Sequence, residues 1–311
     1  MRRRPSHHRP GSADNPGVRP CPACGDPRSS DAGAAEGFPL CRCTRCRTLF
    51  TATLPEAGRA QDYEYDRCET GGASSVPAFV DARLDEVVAA RAADRRTGRW
   101  LDVGFGAASL LRAAKRAGWE AVGTEIAASA VAAARDQGLT VLLGEVERLD
   151  LQPGFDVVSA VEVLEHVPDP VALLRRCAWL LRPGGALYAT TPHVDGFSGR
   201  VLGTSWSVVS PPEHLQLYSR AGLQAALDRA GLTVERMHTH GAHPYELVMA
   251  ARQRTRSPTV VSGRRVESSY AVNAALSRHA GGPAARAALN GTLSAVGLGD
   301  GLKVVARRPG N

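Results

Sequence analysis

Aromatic side chains are scarce. Phe, Trp and Tyr together make up 5% of the 311 residues. That argues against a stacking platform for single-stranded nucleic acid, which needs aromatic faces for successive bases. No run of 18 apolar residues occurs, so no transmembrane helix is expected. Residues 1–20 carry charge but no apolar h-region, so no secretory signal is expected and a cytoplasmic location follows. Lysine is almost missing: Lys115 and Lys303 stand alone, and arginine carries the positive charge.

Apolar residues make up 43%, enough for a sizeable buried core. The net charge of +7 is unevenly placed: +4 falls in residues 1–20 and +8 in 252–311, leaving −5 for 21–251. The centre of the chain is mildly acidic and its ends are basic. Such ends read first as solvated tails, and second as non-specific attractors of nucleic acid.

Seven cysteines occur, and five of them crowd into residues 21–46. Without a secretory signal this clustering reads as metal binding rather than a disulfide frame. Cys21–Pro22–Ala23–Cys24 and Cys43–Thr44–Arg45–Cys46 form two Cys-x-x-Cys knuckles. Four thiolates at that spacing close a tetrahedral Zn²⁺ site with no open position, so Cys21, Cys24, Cys43 and Cys46 are the expected ligands of a structural zinc. Cys41 is a spare thiol with poorer spacing to Cys46. Cys68 and Cys177 read as plain thiols.

The rest divides by pattern. Residues 1–19 are rich in Arg, Pro, His, Gly and Ser and are expected to be disordered. Residues 20–50 form the cysteine module. Residues 51–97 hold a polar linker and a leading helix near 76–95, where Val76, Val80, Leu84, Val87 and Val88 recur at helical spacing. Residues 98–244 alternate strand and helix. Strands are expected at Arg99–Val103, Ala121–Glu125, Val141–Leu143, Phe155–Ala160, Ala186–Thr190 and Leu232–His238, with helices between them ended by Gly118, Gly138, Gly184 and Gly231. Asp169 before Pro170 and Ser219 before Arg220 are helix caps. Residues 245–296 read as a helical insert, a candidate substrate lid, and 297–311 as a last strand and tail. Alternating strands and helices with short turns predict an α/β fold with a parallel sheet covered on both faces.

The first strand runs into Asp102–Val103–Gly104–Phe105–Gly106, a glycine turn that lets backbone approach a ligand. Glu125 ends the second strand, where an acid can accept from ribose hydroxyls, and Glu145 follows the third. These groups lie at strand C-termini, the edge at which open α/β sheets bind ligands.

Leu101–Asp102–Val103–Gly104–Phe105–Gly106 resembles motif I of class I S-adenosylmethionine-dependent methyltransferases. The segment from Val161 to Pro170 (VEVLEHVPDP) is similar to the motif after strand four in their small-molecule branch, which includes ubiquinone-biosynthesis-type enzymes. Leu181–Arg182–Pro183–Gly184–Gly185 resembles their turn before strand five, and Glu213–His214–Leu215 with Tyr218–Ser219 a substrate-side segment. The likeness spans about residues 76–308. It implies a Rossmann-like class I sheet that binds S-adenosyl-L-methionine. Gly104 and Gly106 would pass under its methionine part, Asp102 would organise the turn, Glu125 would hold the ribose, and Glu145 with the backbone of Val146 would meet the adenine. Phe105, where Cys is common, would pack against the cofactor. The cysteine module resembles zinc ribbons fused ahead of methyltransferases of this branch.

The implied reaction is in-line displacement at a sulfonium methyl. The protein has to align a nucleophile and, for a hydroxyl, take its proton. His166, His193 and His214 follow strands four and five and have the pKa of a base near neutrality. His214 lies in a long loop, 192–218, that reads as a substrate loop. The expected acceptor is a small molecule, methylated on oxygen, with carbon and nitrogen as alternatives. No membrane and no specific nucleic acid is expected as partner, and the sequence leaves the oligomeric state open. The competing reading is an RNA or tRNA methyltransferase docking through the ribbon and the basic tails. The acidic centre, and a fourth strand ending Ser159–Ala160–Val161–Glu162 without an Asn/Asp-Pro-Pro-aromatic tetrad, weigh against it.

Overall fold

The computed structural model describes residues 17–55, 78–241 and 282–310. The described part starts with three short strands, β1 Ser29–Ala35, β2 Phe38–Cys43 and β3 Leu49–Thr51. Helix α1 Ala78–Ala89 and a short 3-10 turn lead into the main sheet, in the region expected to hold a helix. Then follow β4 Arg99–Val103, α2 Ser109–Arg116, β5 Glu120–Glu125, α3 Ala128–Asp136, β6 Thr140–Leu143 and β7 Phe155–Val161. The chain continues through α4 Pro170–Leu180, β8 Leu181–Pro192, α5 Phe197–Leu202, β9 Gln216–Leu217, α6 Arg220–Arg229, β10 Thr233–His240, α7 Gly282–Ala295 and β11 Gly301–Arg307. Most of the insert expected at 245–296 lies outside the described residues, as do Cys68 and residues 1–16. The last part of that insert is α7.

The large sheet has seven strands in the order β10-β11-β8-β7-β4-β5-β6. Neighbours from β8 to β6 pair in parallel, but β11 is antiparallel to both β8 and β10. The expectation of a wholly parallel sheet therefore fails at one edge. The reason is local: β11 enters after α7 and turns into the gap between β8 and β10, rather than crossing over from either. The result is a mixed sheet flanked by helices, the Rossmann-like class I architecture.

Burial explains why the central strands read as apolar runs. Every residue of β7 from Phe155 to Ala160 is buried, as a strand covered on both faces requires. Both predicted caps form. Asp169 accepts from the amides of Val171 and Ala172, and the Ser219 hydroxyl accepts from Gly222 N. The glycine turn expected to end α4 instead starts β8: the helix stops at Leu180, and residues 182–185 bulge between the Phe155–Leu181 and Val157–Ala186 pairs. Gly184, at φ +72°, supplies the left-handed residue there.

A second sheet, β1-β2-β3-β9, crosses the boundary drawn at residue 50. Its fourth strand belongs to the core chain, with Leu49 opposite Leu217 and Phe50 opposite Gln216. One buried cluster accordingly runs from Cys21, Cys43 and Phe50 through Tyr218 to Leu164 and Leu187. Arg19 falls in the stretch expected to be disordered, yet it is ordered. Its guanidinium reaches Thr51 O at 2.9 Å, Leu215 O at 3.0 Å and Gln216 Oε1 at 3.2 Å.

Asp156 fastens the entry to β4. It is fully buried, and one of its oxygens accepts from the amides of Arg96, Thr97 and Gly98, at 2.7–2.9 Å. The other lies 2.6 Å from Arg182 Nε. Burial alone would raise this carboxyl, but Arg182 and the three amides outweigh it and hold the pKa below the ordinary value. This group's stabilisation is present above the unfolded pKa and is lost as pH falls through the folded one. Asp156→Ala strands three amides and a guanidinium, and is expected to cost about 3 kcal/mol in urea unfolding at pH 7.

Candidate active site and cysteine cluster

The strand order reverses at β4. The chain leaves β4 for β5 and β6 on one side and returns from β6 to β7 on the other, so a crevice opens beyond the C-termini of β4 and β7. The turn after β4 forms one wall. Gly104, Gly106 and Ala108 all have positive φ, of 64°, 48° and 56°. Ala108, at the third small position of the motif, thus adopts a left-handed conformation that costs a non-glycine residue about 1 kcal/mol. A Cβ on Gly104 would lie 2.7 Å from Val163 Cγ2, so this turn touches the segment after β7. Over Gly106 the space is open: an added Cβ would meet nothing within 4 Å.

Glu125, at the end of β5, faces this turn. One of its oxygens accepts from Gly106 N at 3.0 Å, and the other from Ile126 N at 2.7 Å and Ala127 N at 3.1 Å. A carboxylate has about four acceptor positions, so it retains capacity for a hydroxyl. Glu145 pairs with Arg148 at 2.9 Å, and Val146 is buried beside it. Phe105 departs from expectation. Its ring sits in the buried cluster with Leu111 and Val131, against the face of Gly123, because the turn directs it under the sheet and away from the crevice.

Asp102 is 2% exposed at the end of β4, with the Ser159 hydroxyl 2.6 Å from its Oδ1. Burial first, and Glu125 nearby, push its pKa up to about 7. A near-neutral carboxyl thus sits directly under the glycine turn.

The opposite wall carries the histidines. Glu162, the residue after β7, has φ +54°, a strained conformation that tertiary contacts have to hold. Beyond it, Glu165 is wholly buried. Its Oε2 accepts from Thr191 Oγ1 at 2.9 Å, while Oε1 has no hydrogen-bond partner and lies 3.9 Å from His166 Nε2. Burial first, and then Glu162, raise the Glu165 carboxyl well above its ordinary value. His166 Nδ1 lies 3.0 Å from Glu213 O, and His214 Nδ1 lies 2.6 Å from Val208 O. A carbonyl only accepts, so both rings carry the proton on Nδ1 and keep Nε2 as the basic nitrogen. The two rings meet edge to face at 4.6 Å. One donor atom each from Glu165, His166 and His214 lies within 4.8 Å of the others, a set able to hold a divalent cation.

His193 stands apart from that group. It is 2% exposed, its Nδ1 lies 3.0 Å from Gly299 O, and burial lowers its pKa. Glu165 was not singled out from sequence. Its position in the Glu162–Pro170 motif was the available signal, but the orphaned oxygen appears only once the fold buries it. A cavity of about 340 Å³ lies between the 192–218 loop and the N-terminal sheet, lined by Arg42, Leu49, Val194, Trp206 and Val209 and by none of the crevice residues.

The four predicted cysteines converge. Cys21 Sγ and Cys46 Sγ are 3.5 Å apart, as are Cys24 Sγ and Cys43 Sγ, and all four sulfurs lie within 4.8 Å of one another. Four sulfurs at about 2.3 Å from one zinc sit about 3.8 Å from each other, so the cluster has the size of the site. Cys46 is pulled down, first by its hydrogen bond with Cys21, while the Cys21 thiol is pushed up by that bond and by burial. Cys41 is buried in β2 outside the cluster.

A glycine turn with an acid facing it, at the switch point of a 10-11-8-7-4-5-6 sheet, defines a class I S-adenosylmethionine-dependent methyltransferase. The chain belongs to the methyltransferase-domain family, whose profile matches residues 76–236. Among curated proteins it is 37% identical over 151 residues to a ubiquinone biosynthesis O-methyltransferase of Xanthomonas euvesicatoria, covering 44% of this chain and 63% of that one. It is 38% identical over 99 residues to the protein of the same name from Methylococcus capsulatus, covering 29% and 42%. The chain thus spans less than two thirds of the length of these two relatives. A solved structure of an S-adenosylmethionine-dependent methyltransferase from Archaeoglobus fulgidus aligns with 80% of this chain and 99% of its own, at 16% identity and a TM-score of 0.49.

The near-neutral Asp102 has a measurable consequence. A cation bound over Gly104 and Gly106 would stabilise the carboxylate and lower its pKa. At pH 7, S-adenosylmethionine binding there would release up to about half a proton, read from calorimetry in buffers of different ionisation enthalpy. Asp102→Asn should abolish the release.

Proposed function

We infer that this protein transfers the methyl group of S-adenosylmethionine to an oxygen of a small-molecule acceptor seated between the glycine turn and the 162–166 segment. The observation that carries this reading is the pairing of an open glycine turn, faced by Glu125, with two Nδ1-protonated histidines on the opposite wall. Asp102, Gly104, Gly106, Glu125, Glu145 and Val146 serve the cofactor. His214, on the loop expected to meet substrate, takes the acceptor proton on Nε2, and His166 beside it orients the ring. The likeness to proteins named O-methyltransferases favours oxygen over nitrogen. Calorimetry with S-adenosylhomocysteine tests the foundation: a heat with a dissociation constant below 1 mM is expected, and its absence from folded protein removes the reading. With an acceptor found by screening, His214→Ala should lower turnover at least about 30-fold, and an unchanged rate at saturating acceptor would remove its role as base.

The cysteine cluster, on this reading, is a structural zinc site of Cys21, Cys24, Cys43 and Cys46. The fit of four thiols to a tetrahedron supports it. Metal analysis of replete protein should give about one zinc per chain, and less than half an equivalent would sink the assignment. Use of the ribbon to dock RNA is disfavoured by its packing onto the core through β9. Retention on RNA at about 150 mM salt would revive that reading.

A second reading of the acceptor wall rests on the orphaned Glu165 Oε1. Glu165, His166 and His214 together would hold a divalent cation that binds the acceptor oxygen and lowers its pKa. Chelator-treated protein separates the two: the base reading predicts full turnover with zinc kept in the cysteine cluster, the cation reading a loss restored by Mg²⁺ or Zn²⁺.

A further inference from the structure

The segment after β7 is held by residues about fifty positions further along the chain, in the strand that the core lends to the ribbon's sheet. Leu164 O accepts from Gln216 Nε2 at 2.7 Å and from the Tyr218 hydroxyl at 2.9 Å. Val167 O accepts from the same Gln216 nitrogen at 2.8 Å. Leu215 N, just before β9, donates to Glu165 O at 2.8 Å. Three backbone carbonyls of the acceptor wall, those of Leu164, Glu165 and Val167, therefore depend on residues 215–218. Those residues in turn form the last strand of the ribbon's sheet, where Thr51 N donates to Leu215 O at 3.0 Å.

Gln216 is the hinge of this arrangement. It is 1% exposed, so its amide has no water to fall back on. Its NH₂ spans two carbonyls of the acceptor wall. Its Oε1 accepts from Arg19, which also grips Thr51 O and Thr51 Oγ1 on β3. The cysteine cluster joins the same path. Ser219, next to β9, donates through its hydroxyl to Cys46 O, and the Arg229 guanidinium on α6 reaches Ala23 O at 3.0 Å. Each knuckle is thus bonded to the core chain.

We propose that Gln216 is a positioning residue for the methyl-transfer site, and that through it the cysteine ribbon sets the placement of Glu165 and His166. The ribbon acts here as a strut under the acceptor wall rather than as a separate module. The glycine turn and Glu125 make their hydrogen bonds to β5 and to each other and none to the ribbon, and the turn meets the acceptor wall only by the packing of Gly104 against Val163, so the coupling reaches the cofactor side weakly. This builds on the methyl-transfer reading only in what the wall is for; the coupling itself is a statement about hydrogen bonds.

The test uses the full chain with Gln216→Met, which keeps the volume but removes both donors, and with Cys24→Ser, which removes the half-buried cluster thiol. Three readouts are taken: amide hydrogen exchange by mass spectrometry, ¹⁵N-histidine ring signals at pH 7.5, and S-adenosylhomocysteine affinity. Both variants should raise exchange in residues 163–170 at least tenfold over residues 101–106. The His166 ring signal should move while that of His193 stays, with S-adenosylhomocysteine affinity within threefold of the parent. Wild-type protection of 163–170 in Gln216→Met overturns the positioning role. In Cys24→Ser, loosening confined to residues 20–50 overturns the link to the ribbon, as does a uniform loss of protection across both peptides. Loss of S-adenosylhomocysteine binding in the parent protein would sink the methyl-transfer reading and leave these exchange results standing. If Cys24→Ser does not fold, Arg19→Met, which cuts Gln216 Oε1 from β3 and leaves the cysteines intact, decides the link to the ribbon by the same exchange readout: wild-type protection of 163–170 in it overturns that link.

Discussion

Gly104 has no room for a side chain, and the geometry of the site follows from that. The parallel pairing of β4 with β7 brings the turn after one strand against the segment after the other, to where a Cβ would lie 2.7 Å from Val163. Such an approach lets one wall of the crevice be bare backbone while the other carries ionisable side chains. It also explains why strain gathers here. Ala108 and Glu162 both take left-handed conformations, one on each side of the contact, where packing is dense enough to enforce them.

Much of this was legible in the chain itself. The glycine turn, the acids at strand ends, the caps at Asp169 and Ser219 and the four metal-type cysteines all depend on local spacing, and local spacing survives folding. What escaped was non-local. Nothing near Gln216 in sequence marks it as a bracket for Leu164 and Val167, because its partners lie about fifty residues away. The reversed β11 was missed for the same reason: a strand pattern gives faces, not direction. Phe105 was misplaced because a motif gives a residue's position in a turn, not which side of the sheet its side chain takes. His193 and His214 looked equivalent as residues following strand five, and only burial against Gly299 separates them.

Electrostatics divides the crevice in the same way as the backbone does. Burial favours the protonated carboxyl at both Asp102 and Glu165, one under each wall. A low-dielectric floor of this kind suits a reaction that starts from a cation and a hydroxyl and ends with two neutral products plus a proton. It strengthens whatever charges the ligands bring.

The bond from Ser219 to Cys46 joins residues 173 positions apart. A ribosome delivers the chain from the N-terminus at roughly 5–20 residues per second. The knuckles therefore emerge many seconds before the strand that completes their sheet. In that interval the cysteines have been made but β9 has not, and the edge of β3 is bare, a surface open to unwanted pairing. The order of synthesis thus leaves the N-terminal sheet waiting on a strand from the far half of the chain, and its edge is closed only when residues 216–217 arrive.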